Sequence, residues 1–301
     1  MNLTIGVCAF NEAGNIKALL RDVLGQEGLP RATKVIVVAS GCTDNTADIV
    51  REITMEDPRV LLVEEEARTG KASAINRISA MCPSGLLALV DADTRLLQDA
   101  LAQVLQPFSD EKIGVVGGLP IVGNPESSAV SKAATIIWRV MRQALSELSL
   151  KGKLSFVMGE LCCFRTSLVG RVPETVVNED AYIARLARSK GFKVVLAPQA
   201  TFVVKVPSSI PDYLAQRRRV TFGHLQMRAQ TGRFASSMEG IALNHTWTLL
   251  RAMVREAASR PMSIIRTLFV LELEVVAWAL AWFDLRTGKQ HVLWRRIEST
   301  K

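Results

Sequence analysis

The sequence holds no C-x-x-C pair, no G-x-G-x-x-G turn, no fixed-period repeat and no low-complexity stretch. Its five cysteines, at 8, 42, 82, 162 and 163, are odd in number and two are adjacent. That pattern excludes a secreted disulfide scaffold and argues for reduced thiols in a cytosolic compartment over zinc or redox chemistry. The chain starts Met1-Asn2-Leu3-Thr4-Ile5, without a basic n-region and long apolar h-region, so no secretory leader is expected. Without a glycine-rich turn after the first apolar run, a dinucleotide-dependent dehydrogenase is disfavoured.

What is present is globular. An apolar fraction of 49% against 22% charged, over 301 residues, supports a core that needs no staples. The net charge of +8 is not spread evenly. Residues 1–204 carry 22 basic and 22 acidic side chains, whereas residues 205–301 carry 15 against 7, the whole excess. The same tail holds Trp247, Trp278, Trp282 and Trp294. A basic, tryptophan-rich segment fits a membrane surface or a nucleic-acid backbone.

Apolar runs alternate with helical patterns through the first half. Leu3–Phe10, Lys34–Ala39, Val60–Val63 and Leu86–Val90 read as buried strands, separated by helices over Ala13–Leu24, Thr46–Ile53 and Lys71–Met81. This order predicts a mostly parallel sheet with helices on both faces. A strand pair opening at Gly117-Gly118 is expected over Ile113–Val122, and a long amphipathic helix over Ser127–Leu150. Further on come Phe156–Arg165, a helix near Asp180–Lys190, the strand Lys193–Leu196 and a basic helix over Gln216–Gln230. Punctuation near Gly232–Gly240 suggests a linker before two apolar helices, Ile241–Ala258 and Pro261–Phe283. The expected domains are 1–230, with halves 1–110 and 111–230, and a helical extension, 241–301.

Ile264–Phe283 has the length of a membrane span, but Arg266, Glu272 and Glu274 interrupt it. Two mid-helix carboxylates cost roughly 5–7 kcal/mol, and the eleven Leu, Ile, Phe and Val residues return roughly 3–7 kcal/mol. The balance favours a helix in a subunit interface or at a membrane surface over a single span.

Asp91-Ala92-Asp93 is the sharpest chemical feature. It follows an apolar strand, so both carboxylates emerge at the carboxyl edge, where ligands of open α/β sheets bind. Hard oxygen donors at this spacing suit Mg²⁺ or Mn²⁺ shared with a diphosphate, against the bland alternative of a solvated acidic turn. Three other strand ends aim at the same edge: Ala9-Phe10-Asn11-Glu12, Ser40-Gly41-Cys42-Thr43-Asp44, and Arg68-Thr69-Gly70-Lys71. Thr43 or Asp44 can cap the next helix, and Arg68 and Lys71 flank a glycine where phosphate charge would sit. Each alone has an ordinary structural explanation; their order gives them weight.

In that order the residues resemble a family 2 glycosyltransferase of the GT-A fold, an inverting, sugar-nucleotide-dependent group, from Val7 to about Gly223. The resemblance implies that Ala9, Phe10 and Glu12 meet the nucleobase, that Ser40 lies in the nucleoside turn, and that Arg68 and Lys71 border the diphosphate. Asp91, Ala92 and Asp93 would meet ribose and metal, with Asp93 the more direct ligand. Asn178-Glu179-Asp180 resembles the family's glutamate–aspartate motif, which makes Asp180 the candidate base and Glu179 its support. Gln216-Arg217-Arg218-Arg219-Val220 resembles a glutamine-x-x-arginine-tryptophan motif, so Gln216, Arg217 and Arg219 are expected near diphosphate or acceptor; Arg218 is expected to be solvated. Ala39 and Ser40 stand where an acidic pair is frequent, Cys8 where proline is common, and Val220 where processive synthases have tryptophan. Gly159–Arg165 resembles an acceptor-side segment, with Cys162 and Cys163 expected in the core. His224 reads as structural, and Trp138 as facing either core or acceptor.

Taken together, the expectation is a metal-dependent transferase using Mn²⁺ or Mg²⁺. It would move a sugar from a UDP- or GDP-sugar to a lipid-linked acceptor, peripherally attached to the cytoplasmic membrane face. Self-association through the carboxyl-terminal helices is part of that reading; nucleic acid is not. A non-catalytic scaffold on the same fold, binding membrane or nucleic acid, is the competing reading. Ser40 and Val220 favour it; Asp91, Asp93 and Asp180 oppose it.

Overall fold

The computed structural model describes residues 2–82, 85–260, 263–293 and 297–300. Pro261 and Trp294, which figured in the reading of the tail, lie outside them. The first half forms as its pattern predicts: β1 (Leu3–Ala9), α1 (Ile16–Leu24), β2 (Lys34–Ser40), α2 (Thr46–Glu56), β3 (Val60–Glu65), α3 (Lys71–Met81) and β4 (Leu86–Asp91). Ile5, Val7, Ile36, Val37, Val38, Leu87 and Ala88 are completely or almost completely buried, which is why these strands read as unbroken apolar runs.

The rest comprises β5 (Arg95–Leu96), α4 (Ala100–Leu105), β6 (Ile113–Val122), α5 (Ala129–Leu150), β7 (Leu161–Arg165), α6 (Glu179–Ser189), β8 (Lys193–Val204), α7 (Ile210–Thr231), α8 (Met238–Asn244), α9 (Thr246–Ser259) and α10 (Ser263–Thr287). The eight-stranded sheet runs β3-β2-β1-β4-β7-β6-β8-β5. Pairing is parallel from β3 to β4 and antiparallel at β4–β7, β6–β7 and β5–β8. The strand pair expected over Ile113–Val122 is instead the single strand β6. Gly117 and Gly118 serve close packing, since a Cβ would meet Val157 at 2.7 Å and the Ala200 carbonyl at 2.7 Å.

The chain forms two compact units. One contains residues 1–119 and 157–203, the other 120–156 and 204–301. The linker expected near 232–240 lies inside the second, where α8 begins with Ser237 as its cap.

In the second unit α10 packs on α7 and α5. Val130, Ala133, Val206, Tyr213, Val270 and Leu273 form its core, with Trp138 packed against it. Glu274 is buried and pairs with Arg217 at 2.7 Å, while Glu272 is exposed. Glu274 thus serves an internal ion pair, and Glu272 meets water. Arg218 is not solvated as expected: it forms a two-pronged pair with Asp284, itself almost fully buried. No described helix is long and apolar enough to cross a membrane.

Candidate active site

The first unit gathers the strand ends. Asn11, in the left-handed region at φ 54°, uses its side-chain oxygen to accept from the Thr43 N–H at 2.8 Å. Asp44 accepts from the N–H groups of Ala13 and Thr46 at 3.1 and 2.9 Å, so the loops after β1 and β2 are stapled together and the start of α2 is capped. Gly41, at φ 62°, admits no side chain: a Cβ would lie 2.5 Å from the Arg68 nitrogen. The Arg68 guanidinium stacks on the Phe10 ring at 3.7 Å, forming a flat cationic surface beside this turn. The Glu12 carboxylate is buried and accepts from the Asn15 side chain, a local contact at the start of α1. Ala9 and Ala92 are buried.

Ser40 accepts from the Thr69 N–H at 3.1 Å, and the Thr69 hydroxyl donates to Glu65 at 2.7 Å. Glu65 lies opposite Ser40 in the parallel register of β2 and β3 and pairs with Arg77. A carboxylate therefore stands beside the turn where residues 39 and 40 supply none. Sequence reasoning missed it because it comes from a neighbouring strand.

Asp91 ends β4 and Asp93 sits in the tight turn closed by the Thr94 N–H on the Asp91 carbonyl, 3.0 Å. Lys71 at the start of α3 places its ammonium 2.5 Å from Asp91 Oδ1. Burial works against that ammonium, but Asp91 and Glu179 outweigh it and hold its pKa above the ordinary lysine value. Lys71 is thus committed to Asp91 and does not project freely toward a phosphate. Cys8, opposite Asp91 in the β1–β4 register, faces this charge cluster; burial pushes its thiol up to about 12, so it stays neutral. Cys162 and Cys163 are core residues, as expected.

Glu179 and Asp180 open α6, and Asp180 accepts from the Ala181 N–H at 2.7 Å. Gly159 leaves room beside it: a Cβ there would lie 3.0 Å from Asp180 Oδ2. The unexpected member is Glu160. Burial, then the charges of Asp91 and Asp180, push its carboxyl up to about 8, with Lys71 opposing. It is brought there by antiparallel pairing: Val90 lies opposite Leu161, and the Asp91 N–H donates to the Glu160 carbonyl at 3.2 Å. In the sequence it stood only as one residue of the segment Gly159–Arg165, with no role of its own.

Among the described residues no group of three His, Cys, Asp or Glu side chains converges as a metal cage. Asp91 and Asp93 nevertheless suit Mg²⁺ or Mn²⁺, which bind through one or two carboxylates with substrate phosphates and water completing the shell. Gln216, Arg217 and Arg219 belong to the second unit, on α7. There Arg217 is held by Glu274, which also accepts from the Tyr213 hydroxyl. His224 on the same helix is buried edge-on to Phe156, and burial brings its pKa down to about 4, which makes it a neutral structural residue.

Strand ends converging on an acidic turn at the carboxyl edge of the parallel strands define an α/β nucleotide-binding architecture. The chain belongs to the family described as "Glycosyltransferase like family 2", whose model matches residues 2–223. A poly-beta-1,6-N-acetyl-D-glucosamine synthase of Staphylococcus aureus is 26% identical over 222 residues, covering 72% of this chain and 53% of that protein. The Staphylococcus epidermidis synthase of the same name is 26% identical over 218 residues, 71% of this chain and 52% of that one. The chain spans about half the length of the curated relatives it matches. Among solved structures, the mannosyltransferase PcManGT of Pyrobaculum calidifontis, in complex with GDP-Man and Mn²⁺, superposes with a TM-score of 0.68 at 23% identity, over 96% of this chain and 88% of that one. S. aureus TarS with UDP-GlcNAc gives 0.55 at 15% identity, over 96% and 93%. The fold is that of the GT-A transferases.

Proposed function

We propose that the protein is a metal-dependent inverting glycosyltransferase that moves one sugar from a nucleoside-diphosphate sugar to a lipid-linked acceptor at the cytoplasmic membrane face. The observation that carries the reading is Asp91 at the end of β4, in one electrostatic cluster with Lys71, Glu160 and Asp180, with Asp93 in the turn that follows. Similarity to folds solved with GDP-Man and Mn²⁺ or with UDP-GlcNAc supports a sugar-nucleotide donor. Phe10 and Arg68 offer a stacking surface for the nucleoside, and Asn11, Thr43 and Asp44 keep its turn rigid. A divalent ion on Asp93 and Asp91 would neutralise charge on the departing diphosphate. Asp180, at the start of α6, takes the proton of an acceptor hydroxyl; toward an acceptor that is already anionic it positions the attacking oxygen. Glu160 lies in the same cluster, its carboxyl pushed up to about 8 in the metal-free protein by burial and by the charges of Asp91 and Asp180.

A lipid-linked acceptor is supported by the second unit alone. An apolar cavity of about 450 Å³ there is walled by Ile137, Val140, Met141, Leu249, Met253 and Trp278. That lining suits a hydrocarbon chain and offers a free sugar little to bond.

The deciding experiment is thermal denaturation with UDP, GDP and their sugars, with and without Mn²⁺. One nucleotide should stabilise the protein only with metal, and Asp93→Ala should abolish the effect. If neither nucleotide stabilises it with Mn²⁺, the donor site is wrong.

A further inference from the structure

Part of the excess positive charge of the second unit lines one cleft. Between α5 and α9 an open cleft of about 770 Å³ is lined by Arg139, Arg142, Arg251, Arg255 and Arg260, against the carboxylates of Glu147 and Glu256. A smaller recess shares Arg139, Arg260 and Glu256 and adds Lys132 and Arg266 against Glu126. Seven cations thus face three carboxylates. Arg251 is paired with Glu147 at 2.7 Å, and Arg139 and Arg260 share Glu256 at 3.3 and 3.4 Å. Arg255 has no acidic or hydrogen-bonding partner among the described residues, and it is exposed.

The flank of α9 beside this row is apolar and bare. Trp247 is 74% exposed, Leu250 46% and Val254 58%. At about 100° per residue these three fall within about 60° of one another, and Arg251 and Arg255 occupy the next 40–80°. The helix's buried side, with Thr248, Ala252 and Glu256, lies beyond the arginines. An exposed apolar stripe bordered by guanidinium groups is the arrangement of a helix lying in a lipid interface, with its cations at headgroup level. A soluble polyanion would use the arginines and leave the tryptophan stripe unexplained.

We propose that the cleft between α5 and α9 binds the phosphate headgroup of an anionic phospholipid, with Trp247, Leu250 and Val254 entering the acyl boundary beside it. This rests on the membrane-surface reading above and gives it a chemical address. Unpaired Arg255 takes the phosphate, and Arg142 and Arg260 border it. The paired Arg251 and Arg139 tie α5 to α9 across the cleft.

The test is co-sedimentation of the full chain with phosphatidylcholine vesicles, with and without phosphatidylglycerol, and with inorganic phosphate as competitor. The expected result is preferential binding to the anionic vesicles. Arg255→Glu should reduce that binding about tenfold or more, as near-surface cations each contribute measurably, while nucleotide-dependent stabilisation is unchanged. The Trp247→Ser, Leu250→Ser double variant should lose binding to both vesicle types. Equal binding of the wild type to both vesicles, or an unaltered Arg255→Glu, would overturn the headgroup site and leave membrane attachment standing. Failure to bind either vesicle overturns both. Displacement by millimolar inorganic phosphate would instead identify a site for a soluble anion and also overturn the proposal.

Discussion

The Lys71 ammonium lies 2.5 Å from Asp91 Oδ1, tying the first residue of α3 to the last of β4. Neither side chain is more than about a fifth exposed, at 14% and 21%. With Lys71→Met, Asp91 would face Glu160, Glu179 and Asp180 without its counter-ion. The expected loss is about 1–3 kcal/mol in metal-free buffer, partly recovered when Mn²⁺ supplies the missing charge. Denaturation midpoints with and without metal check this, and a metal-free variant as stable as wild type would refute it.

Glu160 makes the stability of the metal-free protein depend on pH. Its carboxyl titrates near 4.5 in the unfolded chain and at about 8 in the folded one. Between those values the unfolded state gives up a proton that the native state keeps, so this group's contribution declines as pH rises from about 4.5 to 8 and then levels off. Glu160→Gln cannot lose that proton. Urea midpoints at about pH 5, 6.5 and 8.5 should therefore fall less steeply for the variant; parallel curves would show that Glu160 ionises normally.

Asp180→Asn retains the shape of the site and removes the proton acceptor. Nucleotide-dependent stabilisation should persist while transfer to a hydroxyl acceptor falls by about 10²–10⁴-fold. Gly159→Ala presses a methyl group to 3.0 Å from Asp180 Oδ2 and should cost about tenfold in turnover. Steady-state assays compare the two, and an unaffected Asp180→Asn removes it as the base.

Glu274 is buried between the Arg217 guanidinium and the Tyr213 hydroxyl. Glu274→Ala leaves Arg217 buried and unpaired, a loss of about 3–5 kcal/mol, whereas Arg217→Met with Glu274→Leu should be close to neutral. Chemical denaturation of the three proteins gives the comparison. Transfer by the double variant then tells whether Arg217 does more than hold α7 to α10.

The first half of the fold was legible because each βα repeat makes its own local signal. Apolar runs such as Val35–Val38 and caps such as Asp44 mark where the chain enters and leaves the sheet. The acidic turn at Asp91 and Asp93 was legible for the same reason, since a parallel strand always delivers its carboxyl end to the ligand edge. Glu160 and Glu65 were not, because each owes its place to a partner strand. Strand direction and register are decided by pairing across the sheet, which residue spacing does not encode.

The tail shows the same division. Its sequence alone determined the excess charge, the tryptophans and the carboxylates that spoil a membrane span. Only the tertiary structure decided which charges are spent. Glu274 and Asp284 are drawn inside to neutralise Arg217 and Arg218, because a buried ion needs its counter-ion, while Arg255 stays at the surface, where water solvates it without a partner. Composition counts cations; packing determines which of them still face outward.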